Sequence, residues 1–406
     1  MSAVLRLVLV CVFIVVALRR KINLGVAMFI ASAALGLMFG LRPLALARGM
    51  VLSVFAMDSV RLAVALVLVM ILESIMRYAG FLEGMTGALR KIVRDQRVVA
   101  ALLPLFVGFL PSAGGALFSA PMVGEATRDI PISAEEKSFI NYWFRHPMEF
   151  VVPIYSGVII ASKLLEVPIW TYVTLTSPFF VLAVLSGAVV AFRRLPQAVW
   201  RNGDAARPTR ADWVALANGL VPVMSVIVCA VVFKLDLMFA LGGVALLTAM
   251  YARVPARVAA GFLKEAISSG MIFLIAGVMA FKGVLGLSGA VEQLPTFFEA
   301  AGVPMALVAF AMPFLIGFLT GYAPAYAGLA LPVVAGLGAA GTGQPSLSLA
   351  ILGVVSGQAG VMLSPAHLCF SLTVAHFKAD FGKVYKLVAI PEVILVMAAV
   401  AYATFR

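Results

Sequence analysis

Two stretches decide how this chain is read: Pro104-Leu-Phe-Val-Gly108-Phe-Leu-Pro-Ser-Ala-Gly-Gly in the first half, and Pro313-Phe-Leu-Ile-Gly317-Phe-Leu-Thr-Gly-Tyr-Ala-Pro in the second. Each is an apolar segment broken at its centre by helix-breaking residues. A pair of interrupted apolar segments at corresponding places in two halves is the sequence mark of a transporter binding site. At an offset of 209 residues, Pro104, Gly108, Phe109 and Leu110 align with Pro313, Gly317, Phe318 and Leu319, which points to internal duplication.

The composition is that of an all-α polytopic membrane protein. Of 406 residues, 63% are hydrophobic and only 12% charged, with a mean hydropathy of +1.09, which excludes a soluble globule of this size. Cys11, Cys229 and Cys369 lie in apolar runs without CxxC or Cys/His spacing, so they read as packing residues and no metal site is expected beyond a possible Na+. The net charge of +12 does not point to nucleic acid, because the basic residues sit at the ends of apolar runs, where they orient helices.

A spanning helix needs about twenty mostly apolar residues. Ten spans are expected, at 3–18, 23–40, 51–76, 139–165, 168–192, 211–232, 237–252, 267–289, 346–377 and 384–405. The first carries Arg19, Arg20 and Lys21 behind its apolar run, the reverse of a cleaved signal peptide, so it reads as a retained span. With both termini outside, 21 basic residues fall in the cytoplasm and 6 outside, leaving Arg61, Arg145 and Lys282 in the membrane. The loop 201–210 then links two halves of five spans each, residues 1–200 and 211–406, and an odd number of spans inverts the second half.

Residues 98–127 are too many for one span and too few for two. A re-entrant hairpin from the cytoplasm resolves this, with its tip at Ser112, Ala113, Gly114 and Gly115. Residues 304–340 form the counterpart from outside, its tip at Thr320, Gly321 and Tyr322. Within 139–165 sits Asn141-Tyr-Trp-Phe-Arg145-His146-Pro147-Met-Glu149-Phe150, and within 346–377 sits Ser356-Gly-Gln358-Ala-Gly360-Val-Met-Leu-Ser364-Pro365-Ala-His367. A mid-helix proline removes a backbone hydrogen bond and clashes with the preceding turn, so Pro147 and Pro365 should break these spans and free backbone groups for ligands.

Ionisable residues at that depth are costly and usually functional. Arg145 is the candidate anion partner; His146, Glu149 and His367 are candidate proton-coupling groups, and Gln358 and Ser364 can hydrogen-bond a solute or ion. The alternative for Arg145 is an i, i+4 pair with Glu149 that staples the kink. Asp58, Arg61, Glu73 and Lys282 read as helix-end or interhelix pairs. An intramembrane enzyme using His146 and Glu149 is disfavoured by the lack of HExxH, GxSxG or facing aspartates, and a channel by interrupted helices in inverted halves.

Three motifs, Leu110-Pro-Ser-Ala-Gly-Gly-Ala-Leu-Phe-Ser-Ala-Pro-Met-Val123, Asn141 to Glu149, and Met362-Leu-Ser-Pro-Ala-His-Leu-Cys369, give the chain a resemblance to the ion transporter superfamily. That superfamily includes divalent-anion/sodium symporters, gluconate and citrate permeases and arsenite carriers. Within it the chain is similar to a bacterial and archaeal membrane family, number 401 among the domains of unknown function. The resemblance implies an elevator-type carrier in a prokaryotic cytoplasmic membrane, forming a homodimer in the lipid bilayer. The scaffold would be 1–76 and 211–290, the moving unit 98–193 and 300–406, and the arms 80–97 and 290–303. The divalent-anion symporters carry Ser-Asn-Thr at both tips, whereas here Pro111-Ser112-Ala113 and Thr320-Gly321-Tyr322 stand there. Sodium coupling and dicarboxylate specificity therefore do not carry over. The expected function is secondary transport of a small organic anion, a carboxylate or sugar acid, coupled to H+ or Na+, with no other cofactor; the alternative is an exporter, or a carrier of a neutral or inorganic solute.

Overall fold

The computed structural model describes residues 3–405 apart from 21, 94, 110–114, 129, 194–206, 269–270, 290–299 and 340–345. The ordered elements are helices, and the described residues contain no strand. Five helices are long and apolar enough to cross a membrane: Met57–Tyr78, Ile169–Phe192, Arg210–Val232, Ala256–Leu287, of which 269–270 lie outside the described residues, and Phe381–Phe405. Their outward faces are apolar, with Met57, Val189, Val232 and Met397 all more than 60% exposed, as are Phe239, Leu246, Leu247 and Met250 on the shorter helix Leu237–Tyr251. A surface of that kind is stable against lipid and not against water, so the chain is a multi-pass membrane protein.

At the other five expected spans the chain is helical but shorter or interrupted. Ala3–Arg19, Leu24–Met38 and Leu237–Tyr251 are single helices of 17, 15 and 15 residues. The segments 139–165 and 346–377 are each broken in two, as the prolines require. One expectation needs correction. The span read as 51–76 is two helices, Pro43–Val54 and Met57–Tyr78. Pro43 at the first helical position supplies a preset φ and loses no hydrogen bond there, so the chain starts a helix where the sequence was read as loop.

Packing sorts the helices into two groups. In one, Leu24–Met38 and Pro43–Val54 lie against Met271–Leu287, Met57–Tyr78 lies against Leu237–Tyr251, and the amphipathic helix Phe81–Ile92 lies against Arg210–Ile227. In the other, Met305–Thr320 packs on Leu347–Met362, which packs on Phe381–Phe405; Ala134–Trp143 meets Leu368–Phe377 and Phe381–Phe405. Most of the proposed linker, 201–206, and most of the arm at 290–303 lie outside the described residues.

The first hairpin consists of Gln96–Val107 and Gly115–Ala126, twelve residues each, packed on one another. At 1.5 Å per residue each is about 18 Å long, roughly half a bilayer core. The second consists of Met305–Thr320 and a return made of Ala323–Leu329 and Leu331–Ala339. The matched glycines do the same job in both. A Cβ at Gly108 would strike the carbonyl of Arg145, and one at Gly317 would strike the carbonyl of Gly357, so each hairpin rests directly on the backbone of a broken helix.

Candidate functional site

The first broken helix starts with a capping box, in which the Ser133 hydroxyl accepts from the Glu136 amide and the Glu136 carboxylate accepts from the Ser133 amide. It runs from Ala134 to Trp143 and gives way to a 3-10 turn, Pro147–Phe150, before Ser156–Leu164 resumes. The turn corrects the i, i+4 alternative, because it carries Glu149 off the α-helical path on which Arg145 would meet it. Instead Arg145 Nη1 donates to Cys369 Sγ at 3.0 Å. Cys369, read from sequence as a packing residue, is therefore also a polar partner of the one arginine at the break.

The second broken helix runs from Leu347 to Met362, begins at Ser346, and resumes at Leu368 after Pro365. Ser364 is buried and its hydroxyl accepts from the Ala366 amide at 3.1 Å, which fixes the turn between the two pieces.

The two breaks are brought face to face. Tyr142 Oη donates to the Met362 carbonyl at 2.9 Å, and Gln358 Nε2 donates to Glu149 Oε2 at 2.8 Å. The Nε2 atoms of His146 and His367 are 3.2 Å apart, and Asn141 Nδ2 donates to Thr373 Oγ1 at 2.9 Å. With Arg145 to Cys369, five side-chain contacts join the broken helices. Arg145 and His146 are only 3% and 2% exposed, so these groups sit in a low-dielectric interior where each polar contact counts for more than in water. The buried Oδ1 of Asn141 has no hydrogen-bond partner among the described residues.

Both hairpins reach this cluster. Tyr155 Oη donates to the Gly108 carbonyl at 2.5 Å, tying the first hairpin to the first break. At the second tip, Gly321 is left-handed with φ of 62° and its carbonyl lies 3.0 Å from His367 Nδ1. Thr320 Oγ1 donates to the Ile316 carbonyl at 2.7 Å, closing the helix end, while Tyr322 is 41% exposed. Ser112, Ala113 and Gly114 lie outside the described residues, and Gly115 opens the return helix.

His146, His367 and Cys369 bring ligand atoms within 4.8 Å of one another. They are not a good metal donor set, since Cys369 Sγ already accepts from the Arg145 guanidinium, a fixed positive charge. The space at the breaks is small. A cavity of about 10 Å³ lies between His146, Gln358 and Glu392, room for about one water. Glu392 is only 3% exposed on Phe381–Phe405, and its sequence signal is a single carboxylate in a long apolar stretch.

Away from the breaks, a cleft of about 700 Å³ is lined by Asp58, Arg61, Lys163, Glu166, Lys234 and Lys282, among others. Lys163 pairs with Asp58 at 2.7 Å, Lys282 with Glu166 at 3.0 Å and Arg61 with Asp236 at 3.8 Å. Glu73 pairs with Arg77 at 2.5 Å. The four residues read as helix-end or interhelix pairs thus all have ion-pair partners.

Two broken helices face each other across buried charge, with a pair of packed helices seated on each, in a multi-pass membrane fold. The chain matches the family described as "Protein of unknown function (DUF401)" over residues 1–405, and it belongs to that family. Its fold is similar to that of the YdaH transporter of Alcanivorax borkumensis, whose crystal structure is described as revealing an unusual topology. The TM-score is 0.60 at 14% identity, over 85% of this chain and 84% of that one. No curated protein matches the sequence.

Proposed function

We propose that this protein is a secondary active transporter of a small organic anion, a carboxylate or a sugar acid, coupled to H+ or Na+, and that it works by elevator alternating access. The observation that carries the reading is the buried Arg145 at the meeting point of two helix breaks. A cation held there at the cost of dehydration is suited to an anionic solute, and interrupted helices leave backbone groups that solute and coupling ion can use. The substrate contacts are assigned to Ser112, Ala113, Gly114, Gly115, Arg145, Thr320, Gly321, Tyr322 and Ser364. Coupling is assigned to the region of His146, Pro147, Glu149, Gln358, Pro365 and His367.

The two halves act as inverted repeats in this reading, in the manner of the ion transporter superfamily. In this reading residues 1–76 and 211–290 form the scaffold and 98–193 with 300–406 the moving unit, and the two packing groups support it. The cleft of about 700 Å³ lies between residues of both groups and serves as the outer approach to the site. The protein is assigned to the cytoplasmic membrane of a prokaryote, as a homodimer with both termini outside.

The test is thermal stability of the purified protein against carboxylates, sugar acids, oxyanions and neutral amino acids, with and without Na+ at two pH values. A ligand that prefers the folded state raises apparent stability. One anion class should stabilise the native protein and fail to stabilise Arg145→Ala. Stabilisation of Arg145→Ala by the same anion would remove that residue from the site, and no response to any anion would overturn the substrate class.

A further inference from the structure

The hydrogen-bond geometry of His146 and His367 fixes how many protons the pair can hold. His146 Nδ1 lies 2.6 Å from the Tyr142 carbonyl oxygen, and His367 Nδ1 lies 3.0 Å from the Gly321 carbonyl oxygen. A carbonyl only accepts, so each Nδ1 must carry a hydrogen. A neutral imidazole protonated at Nδ1 presents a lone pair at Nε2. The two Nε2 atoms face each other at 3.2 Å, a hydrogen-bond distance that two acceptors cannot share. Only one further proton, placed between them, satisfies all three contacts. The pair then holds one proton on each Nδ1 and one in the middle, and carries a charge of +1.

We infer that His146 and His367 form a proton-binding site that holds one shared proton, and that this proton fastens the tip of the second hairpin to both broken helices. The charged and titratable surroundings suit a bound cation on one side and limit it on the other. Glu149 Oε1 lies 3.8 Å from His146 Nε2, and Glu392 lines the small cavity that His146 also lines. Arg145, its partner Cys369 and the phenol of Tyr142 complete the set; the guanidinium opposes the shared proton.

Loss of the proton has a specific consequence. With two protons on four nitrogens, one of the three contacts must become lone pair against lone pair. The Tyr142 carbonyl lies one turn before His146 on the same segment, so the local backbone holds the two partners of that contact together. The Gly321 carbonyl belongs to a separate element, at a single left-handed residue. The two Nε2 atoms are kept together by the four other side-chain contacts between the broken helices, so the contact that opens is the one between hairpin tip and His367. In the transporter reading, on which only this last step rests, H+ is the coupling ion and its release frees the second hairpin.

The chain has three histidines, and the third, His376, is exposed, so His376→Gln leaves only the pair visible to histidine labelling. Nitrogen-15 histidine NMR of that full-length variant in lipid bilayers counts protonated ring nitrogens directly. At about pH 6 three of the four should be protonated, and at about pH 9 two. Over the same change, once the rise in intrinsic base-catalysed exchange is divided out, the amides at 321–323 should be about tenfold less protected or more, the effect of losing a charge-assisted hydrogen bond. In His367→Asn, whose amide can still donate to Gly321 but binds no proton, exchange at the tip should not depend on pH beyond the intrinsic rate. Two protonated nitrogens at every pH overturn the site, as does a shift of the pair's signals on adding Na+ or Zn2+ at fixed pH. Three protons with unchanged tip exchange overturn the fastening role. No solute is present in these measurements, so they can fail while anion transport stands, and the converse holds as well.

Discussion

Replacing Gly321 with alanine tests whether the second hairpin is seated on the second helix break. Gly321 has φ of 62°, and a Cβ there would lie 2.6 Å from the His367 nitrogen, with Ala366 C at 2.8 Å. A left-handed alanine costs about 1–2 kcal/mol wherever it stands. The backbone clash adds about 1–3 kcal/mol, as overpacking of a filled site does. Ordinary contact begins at 3.4 Å, so the tip must withdraw by about 0.8 Å. That stretches the 3.0 Å contact between His367 Nδ1 and the Gly321 carbonyl to about 3.8 Å, beyond hydrogen bonding. Gly302 supplies the control: its φ is 64° and nothing lies within 4 Å of its Cβ position, so Gly302→Ala carries the strain without the clash. Hydrogen exchange of the two variants in detergent should show amides 321–323 about 10–100-fold less protected in Gly321→Ala, each factor of ten being about 1.4 kcal/mol. Equal protection of the tip in both variants would refute the seating.

Tyr142→Phe keeps the aromatic packing against Phe370, whose ring centroid is 5.0 Å away, but leaves the Met362 carbonyl without its donor. It should lose about 1–3 kcal/mol of stability, read as a lowered unfolding midpoint in mixed detergent. The ion pairs of the outer cleft involve exposed side chains, so Lys163→Ala should cost only about 0.2–1 kcal/mol, and less in high salt. A thermal melt at two ionic strengths checks this. Asp95 caps the first hairpin, and the hydrogen bond from the Arg97 side chain holds its carboxyl below the ordinary value. A depressed carboxyl stabilises the folded state above the unfolded pKa and stops doing so as pH falls through the folded one. Asp95→Asn should therefore flatten the acid side of the stability profile, by about 0.2–1 kcal/mol for a pair this close to solvent.

The helix breaks were legible at Pro147 and Pro365, where proline stands among polar and ionisable residues; Pro104, Pro178, Pro222, Pro313 and Pro391 lie inside continuous helices, so proline alone does not mark a break. At 98–127, a run of the wrong length for a span, the chain forms two twelve-residue helices packed on one another. The contacts across the site were not legible. Cys369 ends a motif whose other residues drew the attention, and only the fold sets its sulfur against Arg145, 224 positions away. Asn141 and Thr373 are likewise unremarkable until they meet. The Arg145 and Glu149 spacing suggested an α-helical staple because spacing rules assume an unbroken helix, and the 3-10 turn at Pro147 removes that assumption. The helix Pro43–Val54 was not legible because its twelve residues fall short of the roughly twenty that mark a span.

The five contacts between the breaks span 209 to 232 residues of sequence. A ribosome adding about 5–20 residues per second needs about ten to forty seconds to cover that distance. For that time the nascent first half holds Asn141, Arg145, His146 and Glu149 without their partners from the second half, in a medium that tolerates unsatisfied polar groups poorly. The first broken helix therefore has to wait, shielded by the translocation machinery or held near the membrane surface, until Gln358 to Thr373 arrive. Biogenesis of this protein is gated by its last quarter, and a chain truncated before residue 358 should be a substrate for membrane quality control, with no stable half-molecule left to accumulate.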